Sequence, residues 1–338
     1  MLKSTHKFRA FADRLILDTE TEVLLGNRSQ TLLRDYRQRN DCYCAPFLWD
    51  LPIREIDNRK LKDFVAYLSG KGLKSTSVEA ILSFVSMVLK LAADENCIQI
   101  LPRIPRPRHK DCPRPAFTPG QYKTLIATCK KVEKGNPTVN FKRSVVDAEL
   151  RWMITFMANA FLRPRDLFTL KHSHVEVVER EGAKFLRLNP PASKRHNGPI
   201  ITMPAAVDIY RRVTQASAKK GFGRHDDYVF LPDRADRTYA QEIASRQFGQ
   251  ILKIAGLKSD DKGAAFSLYS IRHYAITTRI RNSENLNLLV LARNCRTSVE
   301  MIDRFYASSL TAEMQVESLQ SFRRPSRYSV EATTGQSG

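Results

Sequence analysis

Apolar positions recur along most of this chain at helical spacing. Leu61, Phe64, Val65 and Leu68 share one face of a predicted helix that Asp57 caps and Gly70 ends. Thr76 and Glu79 fit a capping box for the next helix. On that helix Val78, Ile81, Leu82, Val85 and Leu89 return every three or four residues. Together they predict a small helical bundle over residues 5–102. Further on, residues 144–160 (SVVDAELRWMITFMANA) predict a long apolar helix, and helices follow over about 206–219, 238–255, 269–282, 285–293 and 298–306. Between them the pattern changes. Residues 175–188 (VEVVEREGAKFLRL) read as two strands around a Glu181-Gly182 turn, and residues 199–203 (PIITM) as a third short strand behind the polar loop SKRHNG. The chain has no visible internal repeat. The predicted class is mainly α with a small antiparallel sheet.

Proline divides the chain. Residues 101–117 (LPRIPRPRHKDCPRPAF) hold Pro102, Pro105, Pro107, Pro113 and Pro115. Each fixes φ and lacks a backbone donor, so the stretch predicts an extended connection rather than a helix or central strand. The expected division is a helical domain over 1–102, a linker over 103–116, an α+β domain over 117–325 and a polar, disordered tail over 326–338. Thr118 and Pro119 open the second domain as N-cap and first helical residue. The linker carries Arg103, Arg106, Arg108, Lys110 and Arg114 against the single acid Asp111. Such a segment either lies along a phosphate backbone or is a solvated tether.

Charge narrows the choice of partner. Lys and Arg total 55 against 35 Asp and Glu in 338 residues, a formal net charge of +20, while the 42% hydrophobic content is ordinary for a globular protein. Cations in this excess suit a polyanion, because each neutralised phosphate releases condensed counterions. Cys42, Cys44, Cys97, Cys112, Cys129 and Cys295 form no CxxC pair, so zinc-finger spacing is missing and a reducing compartment fits. No run approaches the ~18 apolar residues of a membrane span. The N-terminus MLKSTHKFRAF lacks the apolar core of a signal peptide. A cytoplasmic protein without a membrane partner is expected.

Four local patterns in the second domain carry candidate chemistry. FLRPRDLFTLKHSHVEVV (161–178) places Arg163 in a turn after an apolar helix, with Asp166 three residues on. The loop SKRHNGP holds Lys194, Arg195 and His196. FSLYSIRHYAITT (266–278) holds Tyr269, Arg272 and His273. LARNCRTSVEMIDRFYAS (291–308) ends a helix in Tyr306, nine residues after Thr297. Singly, each has a plain reading. Arg163 is then a helix-cap arginine, 194–196 a solvated hairpin tip and Tyr306 a core aromatic beside Phe305. In this order, behind a helical domain and a basic linker, they resemble the tyrosine recombinases of the phage-integrase family.

That resemblance implies roles. Arg163 and Arg272 match the two catalytic arginines, Asp166 the supporting acid, Lys194 the hairpin lysine and Tyr306 the nucleophile. Tyr269 stands where the family has His. Thr297 stands where it usually has His or Trp, after Arg296 where Gly is common. His273, following Arg272, is expected to be buried and to point elsewhere. The chemistry suits these residue types. Two guanidinium forks hold the non-bridging oxygens of a phosphodiester as charge builds on them. A phenol attacking phosphorus conserves the bond energy in a 3′-phosphotyrosine, so neither ATP nor a metal or other cofactor is implied. Lys194 would protonate the leaving 5′ oxygen. The resemblance further implies duplex recombination sites as partner, a tetramer on synapsed DNA, an accessory directionality protein and a bacterial, nucleoid-associated location. Arg103, Arg106, Arg108, Lys110 and Arg195 are the candidate DNA contacts, and residues 308–322 a candidate helix docking on a neighbouring protomer. A catalytically impaired DNA-binding relative and a type IB topoisomerase-like nicking-closing enzyme are the alternatives.

Overall fold

A computed structural model describes residues 6–107, 115–134, 146–191, 198–261, 263–283 and 286–306. The chain divides into two compact units, Met1–Asp111 and Cys112–Gly338.

The first unit is helical. It contains α1 (Phe8–Leu24), α2 (Gln30–Arg39), α3 (Ala45–Leu48), α4 (Asn58–Gly70) and α5 (Ser75–Asp94), with a π-helical turn over Asn40–Cys44 between α2 and α3. Asp57 caps α4 as expected, its carboxylate accepting from the Lys60 N–H at 2.8 Å. The capping box expected at Thr76 and Glu79 does not form. Helix α5 begins two residues earlier, with Lys74 as an N-cap that makes no side-chain bond. Val78, Ile81, Leu82, Phe84, Val85, Val88, Leu89 and Ala92 of α5 are buried, and the helix packs on α1, α2 and α4. This helix also corrects the expectation about apolar runs. It is 20 residues long with a window of mean hydropathy 1.6, apolar and long enough to cross a membrane by length and composition, and 44% of that window is buried inside the protein. Its apolar stripe is the core of the unit, where aliphatic side chains each contribute about 1.5–3 kcal/mol when fully buried.

The start of the proline-rich stretch is docked on this unit. The Arg103 N–H donates to Asn58 Oδ1 at 2.6 Å and Ile104 packs on the helical core.

The second unit opens with α6 (Pro119–Lys134), capped reciprocally. Gln121 N–H donates to Thr118 Oγ1 at 3.2 Å, and Thr118 N–H to Gln121 Oε1 at 2.9 Å. Helix α7 (Ala148–Ala160) starts later than its apolar pattern suggests, because the Asp147 carboxylate accepts the Glu149 N–H at 3.0 Å and sets the first turn there. Leu150, Met153, Ile154, Phe156, Met157 and Ala160 bury α7 at the centre of the unit, against α6, α9 (Ala205–Lys219) and α11 (Leu268–Asn282). The short α8 (Pro164–Phe168) and α10 (Arg237–Ile254) pack beside it. Strands β1 (Val175–Arg180) and β2 (Ala183–Leu188) pair antiparallel from Val175 with Leu188 to Arg180 with Ala183. Glu181 and Gly182 turn the hairpin with φ of 52° and 75°, the left-handed pair a two-residue turn of the I′ type requires. Strand β3 (Ile200–Ile201) extends the sheet in the order β1-β2-β3, and Leu186, Leu188 and Ile200 face the core fully buried.

A smaller cluster joins the end of α7 to the last elements. Phe161, Ala275, Ile276, Ile280, Leu291, Ala292, Cys295, Ile302 and Tyr306 bury together, which seats α12 (Leu288–Asn294) and α13 (Val299–Tyr306) on α11. The predicted helix 308–322 and the tail lie outside the described residues.

Candidate active site

Helix α11 lays three candidate side chains on one face. Tyr269, Arg272 and His273 stand at i, i+3 and i+4, the spacing that stacks side chains along a helix. They line one cavity of about 330 Å³ together with Thr297, Met301, Phe305 and Tyr306. His273 therefore does not point elsewhere. Its ring stacks on Tyr306 with centroids 4.7 Å apart and tilts against Tyr269 at 5.3 Å. The lining residues thus include Tyr306, Arg272 and the residues at both positions where the sequence departs from its family resemblance, Tyr269 and Thr297.

Arg272 is 1% exposed, and the backbone holds it there. Its Nη1 donates to the Phe161 carbonyl, and its Nη2 to the Cys295 carbonyl at 2.5 Å. Its buried Nε–H has no partner among the described residues. An unmet buried donor on a cation, at the wall of a cavity, is suited to an anionic oxygen. Arg163 caps α8 from an extended backbone, with Pro164 as the first helical residue. Its Nη2 donates to the Arg296 carbonyl at 2.5 Å, and Nη1 lies 3.7 Å from Asp166 Oδ2. The two arginines thus rest on adjacent carbonyls of one turn, Cys295 and Arg296.

Two left-handed residues shape this arrangement. Phe161 (φ 55°) ends α7 and Arg296 (φ 51°) follows α12. Outside glycine such backbone costs about 1–2 kcal/mol, and here it turns the carbonyls toward the guanidinium groups. Asn294 completes the local frame by accepting the Ile201 N–H at 2.7 Å and donating to the Ile201 carbonyl at 3.0 Å, which fastens β3 to α12.

Tyr306 is 6% exposed. Burial, opposed by the charge and hydrogen bonding of Arg272, pushes its phenol up to about 12. It is therefore a neutral phenol near pH 7. Cys295, buried on the same turn, is pushed up to about 11 by burial. Thr297 is half-buried, with its N–H donating to the Ala292 carbonyl at 2.9 Å. Asp166 Oδ2 is buried without a hydrogen-bond partner among the described residues.

Lys194, Arg195, Arg108 and Lys110 lie outside the described residues. Arg103 and Arg106 are exposed on the segment leaving the first unit. Sequence reasoning missed Arg296, a side chain 1% exposed whose Nη1 and Nη2 donate to the carbonyls of Pro190 and Pro191 at 3.5 and 3.2 Å. The available signal was an arginine where the resembling family commonly has glycine. Among the described residues no group of three or more His, Cys, Asp or Glu could hold a metal ion.

No family profile and no curated protein matches the sequence. Solved structures match the fold over nearly the whole chain. The Tn1549 transposon integrase in complex with transposon right end DNA aligns with a TM-score of 0.66 at 14% identity, over 93% of this chain and 100% of that one. A lambda integrase dimer bound to a COC′ core site aligns at 0.61 and 16%, over 87% and 94%. A lambda integrase tetramer bound to a Holliday junction aligns at 0.56 and 16%, over 82% and 74%. The chain has the fold of these integrases, which is the fold the resemblance to tyrosine recombinases implies.

Proposed function

We propose that this protein is a site-specific DNA recombinase of the tyrosine class that cleaves and rejoins duplex DNA through a 3′-phosphotyrosine. One observation carries the reading. The phenol of Tyr306 and the buried Arg272 share a cavity wall, and Arg163 hangs from the same turn as Arg272. The fold shared with DNA-bound integrases supports it, as does the net charge of +20.

In this reading Arg163 and Arg272 grip the non-bridging oxygens of the scissile phosphate. Tyr306 Oη attacks phosphorus, the P–O5′ bond breaks, and the phenolic proton passes to solvent water as the bond forms. Lys194 donates a proton to the departing 5′ oxygen. A 5′ hydroxyl of a second duplex then attacks the phosphotyrosine and releases Tyr306. Both steps exchange one phosphoester for another, so the bond energy is kept. Tyr269 and Thr297 offer hydroxyl hydrogen bonds to the phosphate. Arg103, Arg106, Arg108, Lys110 and Arg195 contact the DNA backbone, and the enzyme acts as a tetramer on two synapsed duplexes, aided by a directionality protein, in the bacterial cytoplasm on the nucleoid.

The test is covalent capture. A nicked suicide duplex carrying the recombination site, incubated with protein and denatured in SDS, should leave a protein–DNA adduct. Tyr306→Phe should lose the adduct and retain DNA binding. Binding without any adduct in the wild type would instead identify a DNA-binding relative, and relaxation of plasmid without site preference a nicking-closing enzyme.

A further inference from the structure

The turn that holds both arginines is itself held by a side chain with no role assigned so far. Arg296 is almost wholly buried, yet it sits on left-handed backbone that glycine adopts at least cost. A glycine there would give the turn its shape and leave it untied. With arginine, the planar fork reaches across to the Pro190 and Pro191 carbonyls, just beyond β2. The same residue's carbonyl receives Arg163, and the preceding carbonyl receives Arg272. The turn is therefore tied to the sheet on one side and carries the guanidinium pair on the other.

We propose that Arg296 is a positioning residue, whose guanidinium fixes the Cys295–Arg296 turn to the exit of β2 so that the two carbonyls hold Arg163 and Arg272 in register for one phosphate. Its burial removes it from direct contact with DNA. Its own charge is tempered by burial, with Asp166 opposing that effect and Arg163 and Arg272 adding to it. A compact ammonium can keep the charge but cannot make the same two-pronged contact, so lysine and arginine are not equivalent at this position. This inference rests on the recombinase reading for its rate measurement and on the turn geometry alone for its structural one.

The experiment compares Arg296→Gly, which relaxes the backbone and removes the fork, with Arg296→Lys, which keeps the charge. Cleavage of the suicide duplex under single-turnover conditions should fall about a hundredfold in both, as for an ångström-scale misplacement of catalytic groups. DNA affinity should stay within about twofold of wild type on the same reasoning, since Arg296 touches no DNA. Adding millimolar methylguanidinium to Arg296→Gly should restore part of the rate by refilling the site. Because Arg296 acts through Arg163 and Arg272 together, the double variant Arg163→Ala, Arg296→Gly should lose less rate than the product of the two single losses. Additive losses, or loss of affinity equal to loss of rate, would overturn the proposal. Wild-type rate in Arg296→Lys would show that charge rather than geometry matters and would overturn it too. A second measurement does not depend on cleavage. In protein labelled with nitrogen-15 arginine, the Nε–Hε resonance of Arg163 should shift and broaden in both Arg296 variants. If the wild type forms no adduct, the recombinase reading fails while this spectrum still decides whether Arg296 orders the pair. An unchanged Arg163 resonance in a folded variant would refute the positioning role of Arg296.

Discussion

Arg272 and Arg163 have matched chemical roles in the proposed mechanism but very different structural weights, and stability should separate them. Arg272→Met keeps the apolar stem and removes the fork. The carbonyls of Phe161 and Cys295 would then lose the donors they have in a fully buried setting. Each buried acceptor left unmet costs about 1–3 kcal/mol, so the pair costs roughly 2–6 kcal/mol. Relief from burying a cation offsets part of this, which places the expectation in the lower half of that range. For a domain of this size about 2–4 °C is lost per kcal/mol, giving a fall in Tm of roughly 4–16 °C. Arg163→Met loses one bond to the Arg296 carbonyl and a 3.7 Å ion pair, from a side chain that is 28% exposed. Water can reach that site, so the loss is about 1 kcal/mol and the fall about 2–4 °C. The two tryptophans make the measurement specific, since Trp49 lies in the first unit and Trp152 in the second. In a Trp49→Phe background, thermal unfolding followed by Trp152 fluorescence reports the unit that contains the site. Equal shifts for the two arginine variants, or an Arg272→Met transition within about 2 °C of the parent, would contradict the claim that backbone carbonyls hold Arg272.

Two further expectations follow from burial. The phenol of Tyr306 is raised by its surroundings to about 12, so the folded state favours the neutral form. Its contribution to stability is whole below the unfolded value near ~10 and is lost as pH rises through the folded value. A difference titration of wild type against Tyr306→Phe near 295 nm should show no phenolate from this residue below about pH 11, and ionisation near pH 8 would contradict the burial argument. Cys295 is buried with its thiol raised to about 11, whereas Cys42 is exposed. Iodoacetamide at pH 8 should label Cys42 rapidly and spare Cys295 until the protein unfolds, as peptide mass mapping would reveal.

The parts of the fold legible in the sequence are those fixed by side-chain spacing and local caps. Val78, Ile81, Leu82, Val85 and Leu89 mark a buried stripe because a helix brings residues three and four apart to one face. Thr118 and the Glu181-Gly182 turn are legible because caps and left-handed turns demand particular residues. The expected capping box at Thr76 failed because the helix starts two residues earlier, after Lys74, and sequence spacing alone does not locate a boundary to within one or two residues. At the site, the candidates on α11 and α13 were named from their motifs, but the device that holds them was not. Three carbonyl oxygens and two left-handed backbones do that work, and carbonyls leave no trace in a side-chain pattern. The inward aim of His273 was legible in principle. Its spacing of four from Tyr269 put both on one helical face, and only the adjacency to Arg272 suggested otherwise.

Burial and charge divide the labour within this cavity. Arg272 draws the phenol of Tyr306 toward ionisation, burial opposes it, and burial wins. An entering phosphate would bring negative charge to the same guanidinium and weaken its pull on the phenol further. In the proposed mechanism the arginine pair would therefore serve the developing charge on phosphorus rather than a preformed phenolate, and the Arg272 Nε–H, without a partner among the described residues, is a donor suited to that charge. Proton loss then has to accompany attack. Tyr269, a phenol itself, is a weak acceptor near neutral pH. The imidazole stacked on Tyr306 belongs to His273, and Tyr269, at the position where the resembling family has His, tilts against that imidazole at 5.3 Å, so both rings stand on the phenol's side of the cavity.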